Sequence, residues 1–141
     1  MRFMLIVKAS KDSEMGKMPS EKLMSDMMKF NEEMAKAGIL LAADGLQPSS
    51  KGVRIKFSGP NRTVSMGPFS ETEELIAGYW LIQAKSLDEA IEWAKRSPNP
   101  MPGDSVIEVR QIFEASDFGP TMTPELKEKE ERLRSELAKS K

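Results

Sequence analysis

Phe3, Met4, Leu5, Ile6 and Val7 form a short run that is apolar at every position, which predicts a strand covered on both faces. The stretch from Lys8 to Met18 supplies Ser, Asp, Gly and Lys and reads as a polar surface loop. Pro19-Ser20-Glu21 has the form of a helix start, and Gly38 that of a helix stop. Between them Leu23, Met27, Phe30 and Met34 recur at helical spacing and make one stripe for the core. Met24, Met28 and Ala35 form a second stripe beside it, so the apolar face is wider than one sheet contact requires. That stripe either completes the helix-on-sheet contact, the commoner outcome, or is an apolar patch for association.

Ile39 to Ala43 reads as a second strand, ended by Asp44-Gly45 and then Pro48-Ser49-Ser50. Val53, Ile55 and Phe57 alternate with Arg54, Lys56 and Ser58, a half-exposed strand, and Gly59-Pro60-Asn61 turns it into a hairpin with Arg62 to Met66. Gly67-Pro68-Phe69 breaks that strand and is expected to turn the chain and plug the core with Phe69. Ser70 to Glu74 makes a charged connection with room for one helical turn. Gly78 to Ala84 is the next strand, apolar on both faces. Ser86 with Glu89 three residues later predicts a capping box for a second amphipathic helix carrying Leu87, Ala90, Ile91 and Ala94. The prolines at 98, 100 and 102 close it. Ser105 to Phe113 is a last strand with Ile107, Val109, Gln111 and Phe113 on one face and Val106, Glu108, Arg110 and Ile112 on the other. After Thr123-Pro124 comes a charged tail helix expected to pack through Leu126, Leu133 and Leu137.

Two strand-helix-strand units, with a hairpin inserted between them, predict an α+β ferredoxin-like sandwich of βαββ(β)αβ order with an extra C-terminal helix. Helices cover one side of such a sheet. The apolar first strand and the mixed Val106/Glu108/Arg110/Ile112 face suggest that a second copy covers the other side, giving a dimeric α+β barrel. The expected division is residues 1–115 for the domain and 116–141 for a C-terminal extension.

A net charge of −1 with interspersed signs gives no electrostatic case for nucleic acid. No apolar stretch is long enough to span a bilayer, and the N-terminal apolar run is too short for a signal peptide, so a cytoplasmic protein is expected. With no cysteine, disulfides, thiolate metal sites and cysteine nucleophiles are excluded. With no histidine, the usual base near neutral pH and the commonest metal ligand are missing too. No Gly-rich dinucleotide loop follows a strand and no Asp/Glu spacing resembles an oxygen cage, so neither a cofactor nor a metal is expected.

Leu40 through Gln47-Pro48-Ser49, then Gly67-Pro68-Phe69-Ser70-Glu71-Thr72-Glu73-Glu74, Gly78-Tyr79-Trp80, Asp88 to Trp93 and Ile107-Glu108-Val109-Arg110 follow the order seen in YCII-related (DGPF-type) proteins. The chain resembles that family from Arg2 to about Ala115. Where the Asp-Gly-Pro-Phe motif calls for Asp, it has Met66; where relatives often carry His it has Gln47, and where many carry Cys it has Ser97. The resemblance implies a ferredoxin-like dimer with a cleft. Some members of the family act as lyases or isomerases in the breakdown of aromatic compounds.

The expectation is therefore a small-molecule-binding homodimer with a cleft lined by Gln47, Arg54, Met66, Glu71, Tyr79 and Arg110. If it catalyses, the reaction is cofactor-independent lyase or isomerase work, with Glu71 or Glu108 as base and Arg110 holding an anionic substrate. The bland readings are a space-filling Met66, a solvated acidic run at Glu71 to Glu74, and a Glu108–Arg110 pair that sets dimer register. The rival class is an assembly protein, the family scaffold reworked in nature or in the laboratory, associating beyond the dimer through Met24 and Met28.

Overall fold

β-branched and aromatic residues in period two set the sheet, and capped amphipathic stretches set the helices. The computed structural model describes residues 1–140. The elements run β1 (Arg2–Lys8), α1 (Lys11–Glu14), α2 (Glu21–Lys36), β2 (Leu40–Gly45), β3 (Val53–Ser58), β4 (Asn61–Met66), β5 (Ile76–Gln83), α3 (Leu87–Lys95), β6 (Ile107–Gln111) and α4 (Pro124–Lys139). They fall into two units, Met1–Gln111 and Ile112–Lys141.

In the first unit β1 lies at the centre of an antiparallel sheet, between β5 and β6, and β2 pairs the far side of β5. The order β2-β5-β1-β6, with the two strand-helix-strand units interleaved, is that of a ferredoxin-like α+β fold. Phe3, Leu5 and Val7 of β1 share one face with Trp80 and Ile82 of β5, and with Phe30 and Met34 of α2 they form the buried core. The Phe30 ring meets Trp80 edge-on at 5.4 Å and 89°. The indole N–H of Trp80 donates to Asn31 Oδ1 at 2.7 Å, so the buried donor is satisfied. Helix ends obey local chemistry: Ser20, Ser86 and Thr123 each accept an N–H of the first turn.

Several expectations are corrected. The stretch after β1 is not all loop, because Ser10 and Ser13 reciprocally cap the short helix α1. The capping box at α3 is only half made: Ser86 accepts the Glu89 N–H, but the Glu89 carboxylate takes the Lys85 N–H instead. β6 is shorter than the Ser105 to Phe113 pattern. Phe69 stays outside the core and carries the guanidinium of Arg54, 3.9 Å above its ring. The second stripe of α2 does not complete the sheet contact, since Met24 and Met28 are 52% and 57% exposed.

β3 and β4 pair only with each other, and every residue in them is exposed. The alternating pattern was right about a strand and wrong about burial. In the second unit, which consists of an irregular turn at Ala115–Thr121 and α4, Phe113 stacks on Phe118 at 4.8 Å. Leu126, Leu133 and Leu137 of α4 remain exposed rather than packed.

Candidate functional site

The sheet face opposite the α2 layer carries the alternate residues of each strand. Pairing register sets them in rows. Asp44, Tyr79, Ile6 and Glu108 stand side by side across β2, β5, β1 and β6, and Ala42, Leu81, Met4 and Arg110 form the adjacent row. Directly paired residues of antiparallel strands share a face, so the eight side chains project together.

Each end of this surface is polar. At the β2 edge the Tyr79 hydroxyl donates to Asp44 Oδ2 at 2.9 Å. On the opposite side Arg110 donates to Glu108 Oε2 at 3.1 Å, and Lys8 lies 3.8 Å from Glu108 Oε1. Between them lie Ile6, Met4 and Leu81. Ile6 is only 9% exposed although it stands outside the helix-side core. Strand spacing puts Tyr79 and Glu108 on strands roughly 10 Å apart, about the room a six-membered ring with polar substituents requires.

The hydrogen bond to Asp44, reinforced by that carboxylate's charge and a smaller burial contribution, raises the Tyr79 phenol above its usual 10.0. Because Tyr79 is the sole tyrosine, its phenolate absorbance can be followed without background. Titration should show ionisation displaced upward, and Asp44→Asn should return it toward the ordinary value; identical curves would refute the pairing. The sign for stability follows. A phenol raised in the fold favours folding below its unfolded value and loses that contribution as pH climbs through the raised one.

The residues singled out from sequence divide into two groups. Tyr79, Glu108 and Arg110 share the sheet face. Arg54 and Met66 lie on the β3–β4 hairpin, Met66 directly opposite Val53 and 74% exposed. Gln47 and Glu71 are exposed, and among the described residues neither side chain makes a hydrogen bond or ion pair. Asp44 and Lys8 were missed because they were read as turn and loop; the signal that finds them is pairing register, Asp44 opposite Tyr79 and Lys8 one alternation beyond Ile6.

Also unforeseen is the junction where the hairpin leaves the sheet. Both Glu14 oxygens are engaged by Ser49, one by its N–H at 2.9 Å and the other by its hydroxyl. The Phe69 N–H in turn donates to Ser49 Oγ at 2.9 Å. Short helix, loop and Gly67-Pro68-Phe69 turn are thereby tied together. With its proton and lone pair committed, Ser49 serves as a fastener rather than a nucleophile. A concavity of about 400 Å³ lies elsewhere, lined by Ser97, Pro98, Asn99, Pro100, Asp104, Ser105 and Ile107. It is wide open and holds one ionisable group, Asp104.

Residues 1–116 match the YCII-related domain. The chain belongs to the YCII-related family. A relative in Rhizobium meliloti (strain 1021), itself an uncharacterized protein, is 32% identical over 100 residues, covering 71% of this chain and 81% of that one. A solved structure of 5-chloro-2-hydroxyhydroquinone dehydrochlorinase from Burkholderia phenoliruptrix AC1100, in complex with 2,5-dihydroxybenzoquinone, superimposes with a TM-score of 0.46 at 12% identity, covering 81% of this chain and 95% of that one. The ferredoxin-like assignment of this YCII-related chain stands on its own strand order. Among the described residues no group of three or more Asp or Glu could hold a metal, and no helix is long and apolar enough to cross a membrane.

Proposed function

We propose that this YCII-related protein binds a small, flat molecule with polar ends on the open face of its sheet, as a dimer whose second copy shields that face. One observation carries the reading: an apolar floor of Met4, Ile6 and Leu81 bounded by Tyr79–Asp44 on one side and by Lys8, Glu108 and Arg110 on the other. Ligand sites combine a mostly apolar surface with a few oriented polar groups, as here. Arg110 offers a fork for a carboxylate or phenolate, and the Tyr79–Asp44 pair can meet a hydroxyl or carbonyl. The need for a partner is physical, since a sheet with an apolar outer face has to be covered.

The chemistry open to these groups is cofactor-independent proton transfer, the elementary step of lyases and isomerases. Glu108 has a cation at each oxygen and is better suited to orient Arg110 than to take a proton. Asp44, hydrogen-bonded to a phenol that stays protonated at neutral pH, is the stronger candidate for a base. Glu71 is outside this set.

Calorimetric titration with 4-hydroxybenzoate, which carries a ring, a hydroxyl and a carboxylate, provides the test. Arg110→Ala should weaken binding about 10- to 100-fold, the range expected for loss of a charge-assisted hydrogen bond. Tyr79→Phe should weaken it less. Unchanged heats in both variants would place the ligand elsewhere, and light scattering that finds a folded monomer at micromolar concentration would remove the dimer.

A further inference from the structure

The two polar ends of the open sheet face differ in what they offer a ligand. At the β2 end the Tyr79 hydroxyl commits its single proton to Asp44 Oδ2, 2.9 Å away. That bond and the carboxylate's charge hold the phenol above its ordinary value, so the proton stays in place at neutral pH. Among the described residues Asp44 makes no salt bridge, and its side chain takes no second hydrogen bond. A ligand therefore meets the open Asp44 Oδ1 and the lone pairs of the phenol, which are acceptors only. This end carries one uncompensated negative charge.

The β6 end is the reverse. Lys8 and Arg110 stand at opposite oxygens of Glu108, at 3.8 and 3.1 Å, so two cations share one anion and one positive charge is left over. Arg110 uses one N–H of its fork on Glu108, and its side chain is 71% exposed, which leaves further donors open. Arg2, one alternation beyond Met4 on the same face, has a partner of its own and adds no negative charge. In the order β2-β5-β1-β6 the two ends are three strand spacings apart, roughly 14 Å. Leu81, Met4 and Ile6 fill the floor between them.

This polarity decides which molecule fits. A carboxylate at the β2 end would face Asp44 with no donor between them, and a carbonyl there would need the phenol to leave Asp44. A hydroxyl can donate to the open oxygen, and an ammonium both donates and neutralises the charge. At the β6 end the surplus cation calls for an anion. An α-amino acid holds its two charges side by side and cannot reach both ends. The matching ligand carries them at opposite ends of a flat, apolar middle.

Resting on the proposed sheet-face site, we infer that its ligand is a planar ω-amino acid, with its ammonium at Asp44 and its carboxylate at Lys8 and Arg110. The ring or conjugated middle lies on Met4, Ile6 and Leu81. Asp44 sets the preference for a cation, and Tyr79 holds its carboxylate through Oδ2. A dicarboxylate of the same shape is rejected by like charge at Asp44, and an α-amino acid by reach.

Calorimetric titration at neutral pH with 4-(aminomethyl)benzoate, 4-hydroxybenzoate, terephthalate and phenylalanine tests the assignment. The wild-type chain should bind 4-(aminomethyl)benzoate about tenfold more tightly than terephthalate or phenylalanine, with 4-hydroxybenzoate between. Asp44→Asn, checked for native circular dichroism, should bring 4-(aminomethyl)benzoate and terephthalate within about twofold of each other. Terephthalate bound as tightly as 4-(aminomethyl)benzoate by the wild type would overturn the inference, as would an ammonium preference that survives in Asp44→Asn. In either case a 4-hydroxybenzoate affinity that still falls in Arg110→Ala would leave the sheet-face site standing. An affinity unchanged in Arg110→Ala, or no heat from any of the four compounds, would remove the site and this inference with it.

Discussion

Phe30→Ala is expected to cost about 3–5 kcal/mol of folding stability, the largest loss from any single side chain of the helix layer. Phe30 is buried against the sheet, and its edge-on contact with Trp80 is lost with the ring. The cavity opens beside Met34 and Ile82, which are themselves fully buried and held by the sheet, so little collapse can refill it. Urea denaturation followed by tryptophan emission reads the change, because Trp80 loses the neighbour that shields it. A loss below about 1 kcal/mol would mean that α2 is not the lid of this core. Asn31 supplies an internal comparison. Its truncation strands the Trp80 N–H without opening a large cavity, so its cost should be nearer 1–3 kcal/mol.

The second large effect is expected at Gly67. A Cβ there would lie 1.8 Å from the carbonyl oxygen of Ser49 and 2.7 Å from its carbon, with the Gly52 oxygen at 3.3 Å. These are backbone atoms, and the Gly67 N–H donates to the same Gly52 oxygen at 3.0 Å, so neither segment can simply give way. Gly67→Ala should therefore cost about 3 kcal/mol, the upper end of the overpacking range, and undo the Glu14–Ser49–Phe69 fastening at the root of the β3–β4 arm. Gly52→Ala is the control: its Cβ would stand at an ordinary 3.5 Å from the Ser49 oxygen, and the melting temperature should move little. Equal melting of both variants would show that close approach does not dictate glycine at 67. Loosening the root of the arm should leave the Tyr79 titration unchanged.

The sheet was legible because β1, β5 and β6 carry alternating or continuous apolar runs bounded by turn chemistry, and α2 and α3 because serine caps and apolar spacing coincide. Period two also placed Glu108 and Arg110 on a common face, and they are paired there. Where it failed, the reason was distance along the chain. Asp44 is 35 residues from Tyr79 and stood beside a glycine, so local reading made it a turn. Glu14 and Ser49 are also 35 residues apart, and neither carries a pattern that announces the other.

The hairpin illustrates the limit most plainly. Val53, Ile55 and Phe57 have the alternation of a half-buried strand, and the sequence-level inference of a covered face follows from it. Alternation, however, specifies which residues share a side, not what lies against that side. The same holds for Met24 and Met28, whose spacing was equally compatible with a sheet contact and with an uncovered patch.

By itself, then, the order of apolar runs, caps and breakers determined the elements, their α+β arrangement and the face on which each residue stands, because those depend on backbone periods and neighbours a few residues away. Only the tertiary structure decided that Tyr79 meets Asp44, that Glu108 gathers two cations, and that the arm and the α2 stripe are left bare. Those outcomes depend on strand register and on the packing of segments remote in sequence, which no local pattern encodes.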